Sequence, residues 1–142
     1  MQKAVFFDID NTLWDYSNFI PESTKRAVRA LRENGHLAFL NSGRTRGFIR
    51  DPGLLAMDFD GIISGCGTMI EYRGEILLNH LIDRELAGFT VDTVRRCNFR
   101  PILEGPRYLY MDDADFKTNE YAEKVRRDMG DCLLPEIGRA HV

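Results

Sequence analysis

An α/β fold built on a short parallel sheet is predicted by three features of the chain. Unbroken apolar runs of strand length stand at Ala4-Val5-Phe6-Phe7 and Leu37-Ala38-Phe39-Leu40, a helix-spaced stretch separates them, and Asn34-Gly35 punctuates its end. Runs without polar alternation read as strands buried on both faces, the usual state in a parallel sheet. Two such strands joined by a helix pair in parallel through a right-handed crossover. The architecture is the opening of a doubly wound sheet.

The first strand runs straight into Asp8-Ile9-Asp10-Asn11-Thr12-Leu13. Side chains two apart on a strand project to one side, so Asp8 and Asp10 are expected to face one pocket. Like charges at a buried strand end repel and are costly to desolvate, which points to a cation or a chemical task that compensates. Residues 14–20 mix aromatic and polar side chains and read as a flap in which Trp14, Tyr16 and Phe19 supply packing. Pro21-Glu22-Ser23 then opens a helix with Ala27, Val28, Ala30 and Leu31 as its apolar face, and Gly35 gives it a left-handed stop.

Asn41-Ser42-Gly43-Arg44-Thr45 falls where the second strand ends and a short helix over 44–49 is expected, the edge at which open α/β sheets bind ligands. Ser42 is therefore expected in the crevice of Asp8, with Arg44 as a surface or helix-start residue. Asp51-Pro52-Gly53 reads as a break and Gly61-Ile62-Ile63-Ser64 as a third strand. Gly65-Cys66-Gly67 reads as a tight turn, with Cys66 a small buried filler. Segments 68–72 and 75–78 flank Arg73-Gly74, a hairpin signal. Beyond these, 83–97 reads as a helix with Leu86, Phe89 or Thr90, Val94 and Cys97 on one side. Residues 108–111 read as a strand and 119–129 as a helix, while 133–138 carry no clear element. The expected division is a core over 1–82 and a second region over 83–142.

Composition narrows the class. With 142 residues and 44% hydrophobic content the chain can bury an ordinary core, and a net charge of −3 with scattered arginines gives no basic stripe for nucleic acid. Cys66, Cys97 and Cys132 are odd in number and form no CxxC or Cys/His pattern, which fits a reducing cytoplasm and supports neither a disulfide framework nor zinc. No signal peptide and no bilayer-spanning stretch is read, so no membrane partner is expected.

Val5-Phe6-Phe7-Asp8-Ile9-Asp10-Asn11-Thr12-Leu13 followed by Leu40-Asn41-Ser42-Gly43-Arg44 resembles the first two motifs of the haloacid dehalogenase-like (HAD) superfamily. The order of flap, Gly35-ended helix, Ser-Gly-Arg, Gly61-Ile62-Ile63-Ser64 and the Tyr72-Gly74-Glu75 hairpin is similar to its Cof-type (subfamily IIB) sugar phosphatases. The resemblance implies a Rossmann-like parallel core with the start of an inserted α+β cap. It also implies Asp8 as a nucleophile that becomes an aspartyl phosphate, and Asp10 as general acid and then base, kept protonated near neutral pH by its anionic neighbour. Ser42, Gly43 and Asn11 become phosphate contacts, and Asp8 and Asp10 become ligands of Mg²⁺, Asp10 through its main-chain carbonyl. The implied substrate is a small phosphorylated metabolite such as a sugar phosphate.

The pattern is incomplete. The family's third-motif lysine and its Gly-Asp-x-x-x-Asp cluster are both missing, since Gly130-Asp131 runs on into Cys132-Leu133-Leu134-Pro135. Lys117 and Lys124 lie in the presumed cap and His36, His80 and His141 fit no triad. The expectation is a chain that stops inside the cap and is weakly active alone. Asn11 stands where glycine is more usual, and Cys66 where many relatives have asparagine. Two other readings stay open: a phosphotransferase of the phosphomannomutase kind, and a non-catalytic phosphate-binding or interaction protein.

Overall fold

A computed structural model describes residues 1–116 and 120–139. Lys117, Asn119 and His141 lie outside the described residues. The chain divides into two compact units, Met1–Thr45 with Ile49–His80 and Arg46–Phe48 with Leu81–Val142.

The first unit is a five-stranded sheet in the order β1-β2-β3-β4-β5: β1 Ala4–Phe7, β2 Leu37–Asn41, β3 Gly61–Ser64, β4 Met69–Tyr72 and β5 Glu75–Asn79. β1 pairs with β2 in parallel, Ala4 opposite Leu37 and Phe7 opposite Leu40, and β2 pairs in parallel with β3. β4 and β5 form the expected antiparallel hairpin about Arg73 and Gly74, both at positive φ. The parallel strands thus end at one edge, with the acidic and serine segments just beyond it.

Helix α1, Glu22–Glu33, closes with Gly35 N–H donating to the Arg32 carbonyl at 2.8 Å and Gly35 at φ +79°. Its buried stripe is narrower than the sequence suggests, because only Val28 is fully buried and Leu31 partly so, while Ala27 and Ala30 face solvent. Val28 and Leu31 pack with Ile9, Leu13, Trp14, Ile20, Ala38, Leu40, Ile49 and Leu54 into one core on one face of the sheet. Arg32 also fastens the helix end to the next strand. Its Nε lies 3.2 Å from Asp60, whose Oδ2 accepts the Ala38 N–H at 2.9 Å. Burial works against the charge on Asp60, but the Ala38 N–H and Arg32 hold its carboxyl below the usual range.

The expected helix over 44–49 is a 3₁₀ turn, Arg46–Phe48, and the break at 51–53 is a one-turn helix. In that helix, α2 (Pro52–Leu55), Asp51 caps Leu54 N–H at 2.8 Å and Pro52 sits at the first turn, where its missing N–H costs nothing.

β1 is not buried on both faces: Val5 and Phe7 face the core, but Phe6 is 52% exposed. The reason is that α1 and α2 cover one face and β1 is an edge strand. On the other face Phe6, Phe39 and Tyr72 stack in a row, with centroids 5.1 and 5.8 Å apart. Gly61 makes the row possible. A Cβ there would stand 2.4 Å from Phe39 Cε1 and 2.5 Å from the Glu71 carbonyl oxygen, so β3 must lack a side chain for the ring to cross it.

The second unit carries α3 (Arg84–Arg96), β6 (Leu103–Glu104), β7 (Leu109–Tyr110), α4 (Glu120–Met129) and β8 (Leu133–Leu134). β7 is central, antiparallel to β6 and parallel to β8. The sequence reading lacked β6 and β8, since two-residue strands leave no periodicity. It also misplaced the α3 face. Ala87 and Val91 are buried, Val91 against Tyr110 and Ile137, whereas Leu86, Phe89 and Cys97 are exposed. Arg95 binds Asp112 and, at 2.6 Å, Asp115, while Asp112 also accepts the Ile137 N–H at 2.8 Å.

Gly61→Ala is expected to lower stability by about 1–3 kcal/mol, because backbone and ring must both move to admit one methyl group. Urea unfolding of the two chains, followed by far-UV circular dichroism, checks this.

Candidate active site

The chain turns sharply where β1 ends. Asp8 follows the last paired residue and is exposed, Ile9 is fully buried, and the N–H groups of Thr12, Leu13 and Trp14 all point to the Ile9 carbonyl, at 3.3, 3.1 and 3.4 Å. Ile9 anchors the turn in the core. Asp8 and Asp10 therefore flank an anchored residue beyond the strand, rather than projecting from the strand itself.

Asn11 takes φ +59°, in the left-handed region where glycine is at ease and asparagine is the side chain best tolerated. That accounts for an asparagine where glycine is more usual. Cys66 repeats the logic with φ +55°, a position that suits asparagine. Cys66 is exposed and not a buried filler, because the left-handed turn Gly65–Gly67 lifts it out of the core. Its Sγ lies beside Gly43, 3.5 Å from where a Cβ on that glycine would stand.

Ser42 follows β2, is buried, and continues the ladder by donating its N–H to the Ile63 carbonyl at 2.9 Å. Its Oγ accepts the Arg44 N–H at 3.2 Å, so the serine organises the turn it begins. Ser64, one strand further on, is also wholly buried, and its hydroxyl has no hydrogen-bond partner among the described residues.

Arg44 joins these segments. Its guanidinium grips Asp10 with both arms, Nη2 to Oδ1 at 2.7 Å and Nε to Oδ2 at 2.9 Å, and its Cζ lies 5.1 Å from the centre of the Trp14 ring. Trp14 Nε1 donates to the same Oδ1 at 3.1 Å. The serine turn and Asp10 are thereby tied into one constellation, Ser42–Arg44–Asp10–Trp14, with Asn11 and Gly43 next to its members in sequence and Asp8 two residues before Asp10.

Three expectations change. Arg44 is no idle surface residue, and Trp14 is more than flap packing, being buried in the core while its indole N–H reaches the acid. A tryptophan four residues after the second aspartate and an arginine two after the serine were the available signal. At Asp10 the hydrogen bond from Arg44, opposed by burial and helped by Trp14 and the charge of Arg44, keeps the carboxyl below the usual range, where a raised value was expected.

Residues 5–131 match the haloacid dehalogenase-like hydrolase family. This chain belongs to that family. Over 75 residues the HAD-like chain is 36% identical to YkrA of Bacillus subtilis (strain 168), named for an inferred phosphatase activity, which is 53% of this chain and 29% of that protein. A structure from Geobacillus kaustophilus HTA426 superposes with a TM-score of 0.77 at 22% identity, over 95% of this chain and 52% of that one. The HAD subclass IIB sugar phosphatase BT4131 gives 0.73 at 23% identity, over 91% and 49%. At such identities the structures attest the fold, an α/β HAD-like one. The HAD-like chain spans about half the length of these structures and under a third of YkrA.

Asp10 is expected to titrate below an ordinary aspartate, read by ¹³C NMR of its carboxyl, and to move upward in Arg44→Ala. The sign follows from linkage: a depressed folded value contributes stability above the unfolded aspartate range, and that contribution is lost as pH falls through the folded value. The stability gap between the two proteins should therefore close in acid. Asn11→Val is expected to cost about 1–2 kcal/mol by chemical unfolding, because a β-branched residue tolerates the left-handed region poorly.

Proposed function

We propose that the chain belongs to a Mg²⁺-dependent phosphohydrolase that cleaves a small phosphorylated metabolite, such as a sugar phosphate, through an aspartyl phosphate on Asp8. The observation that carries this reading is the Arg44 bridge, which gathers the acid turn after β1 and the serine turn after β2 at one edge of a parallel sheet. Family membership supports the reaction class, and the named activity of BT4131 supports the choice of a sugar phosphate.

In this reading Asp8, which is exposed at the strand end, attacks phosphorus, splitting one difficult transfer into two easier ones. Asp10 in turn binds a proton once a dianionic substrate offsets the charge of Arg44, gives that proton to the leaving oxygen, and then takes one from the attacking water. Ser42 offers its hydroxyl and Gly43 its main-chain N–H to the phosphoryl oxygens, with Asn11, at the left-handed position after Asp10, as a further contact. For the metal, the donor chemistry fits: the Asp8 carboxylate and the Asp10 main-chain carbonyl are hard oxygen ligands. No group of three or more His, Cys, Asp or Glu residues able to hold an ion occurs among the described residues. The Asp8 carboxylate and the Asp10 main-chain carbonyl would hold Mg²⁺, a hard cation that is commonly bound by one or two carboxylates together with substrate phosphate. When bound, the ion supplies neutralisation of the phosphoryl charge.

The place of work is the cytoplasm, a reading supported by three free cysteines and by the absence, among described residues, of a helix long and apolar enough to cross a membrane.

Hydrolysis of p-nitrophenyl phosphate with Mg²⁺ tests the proposal, run on this chain and on whatever longer product its coding DNA encodes past Val142. Asp8→Asn is expected to abolish turnover and EDTA to suppress it. The 142-residue chain by itself is expected to be slower by on the order of 10²-fold or more, since each missing electrostatic group costs about that much. Unchanged hydrolysis by Asp8→Asn would refute the nucleophile.

A further inference from the structure

The Arg44–Asp10 pair raises a question of competition. Asp10 presents a carboxylate with roughly four lone-pair positions. Two are filled by the Arg44 fork and one more by the Trp14 indole N–H. A carboxylate so engaged is fixed in direction and has little left with which to address another molecule.

The grip is nevertheless exchangeable. The Asp10 side chain is 48% exposed and that of Arg44 26%, and an ion pair in contact with water is held weakly. A phosphate dianion presents the same two-oxygen edge to a guanidinium as a carboxylate does, with more charge. The Arg44 backbone is hydrogen-bonded to Ser42 Oγ, so its side chain springs from the rim of the turn assigned above to phosphate. An arriving phosphoryl group therefore meets the one guanidinium that is holding the acid.

We propose that Arg44 is a positioning residue switched by phosphate: with no anion bound it clasps Asp10 against Trp14, and a substrate phosphoryl group draws it away and frees Asp10 to face the reacting oxygen. This rests on the phosphate-binding reading of the Ser42 turn. The acid is thus released only when a phosphoryl group is present to be cleaved.

Trp14 makes the exchange visible, because it is the sole tryptophan of the 142-residue chain and touches both partners. The experiment titrates the full chain with inorganic phosphate in the presence of Mg²⁺, following tryptophan emission and, in parallel, binding heat, with chloride at matched ionic strength as the blank. In the wild type a saturable emission change should follow the same isotherm as the heat. Arg44→Ala should begin with a shifted emission, show no response to phosphate, and bind it on the order of tenfold more weakly, as expected for loss of a charged hydrogen-bonding partner. Arg44→Lys keeps the charge without the fork and should respond less than the wild type, which serves as the test if the alanine variant fails to fold. Phosphate that binds by calorimetry but leaves wild-type emission unmoved overturns the switch and spares the phosphate site. Absence of binding heat overturns the phosphate site and the switch with it.

Discussion

The parallel register of β1, β2 and β3 is the constraint from which the rest of the first unit follows. Because the three strands run the same way, the segments that follow them emerge together at one edge of the sheet. Each is then turned by a local device: the Ile9 carbonyl collects three N–H groups after β1, Ser42 Oγ holds Arg44 after β2, and the left-handed Cys66 bends the chain after β3. The polar chemistry sits at this edge because the faces are committed to packing. Ala38, Leu40, Val28 and Leu54 fill one face, and the aromatic row crosses the other.

Arginine at position 44 adds an electrostatic constraint to the geometric one. A flexible acid at the end of a strand would sample many orientations, and a point charge would fix only its distance. The planar fork fixes direction as well, and the indole ring beneath it removes the remaining rotation. Three residues that are far apart in polarity, one acidic, one basic and one aromatic, are held together while the clasp is closed.

How much of this was legible in the sequence depends on the range of the force involved. The three parallel strands, α1 with its Gly35 stop, and the Arg73-Gly74 hairpin were readable because apolar runs and turn residues act over a few positions. The two-strand pairings of β6 and β8 were not, since two residues cannot display a period and their order is set by β7 between them. Exposure was misread for Phe6, Ala27, Ala30 and Leu86 for a related reason. An apolar pattern shows that a face can be buried, whereas only tertiary packing decides whether a partner is there. At the site, the motif spacing indicated Asp8, Asp10 and Ser42, but the link made by Arg44 spans 34 positions and no local rule announces it.

β1 leads into the acid turn and yet, among the described residues, hydrogen-bonds to a neighbouring strand, β2, on one side alone. Its outer row of amides is open to solvent exchange, and a strand secured along a single flank breathes more readily than one zipped along both. The acid turn is thus carried by a strand whose opening costs less than that of β2, which is paired along both flanks.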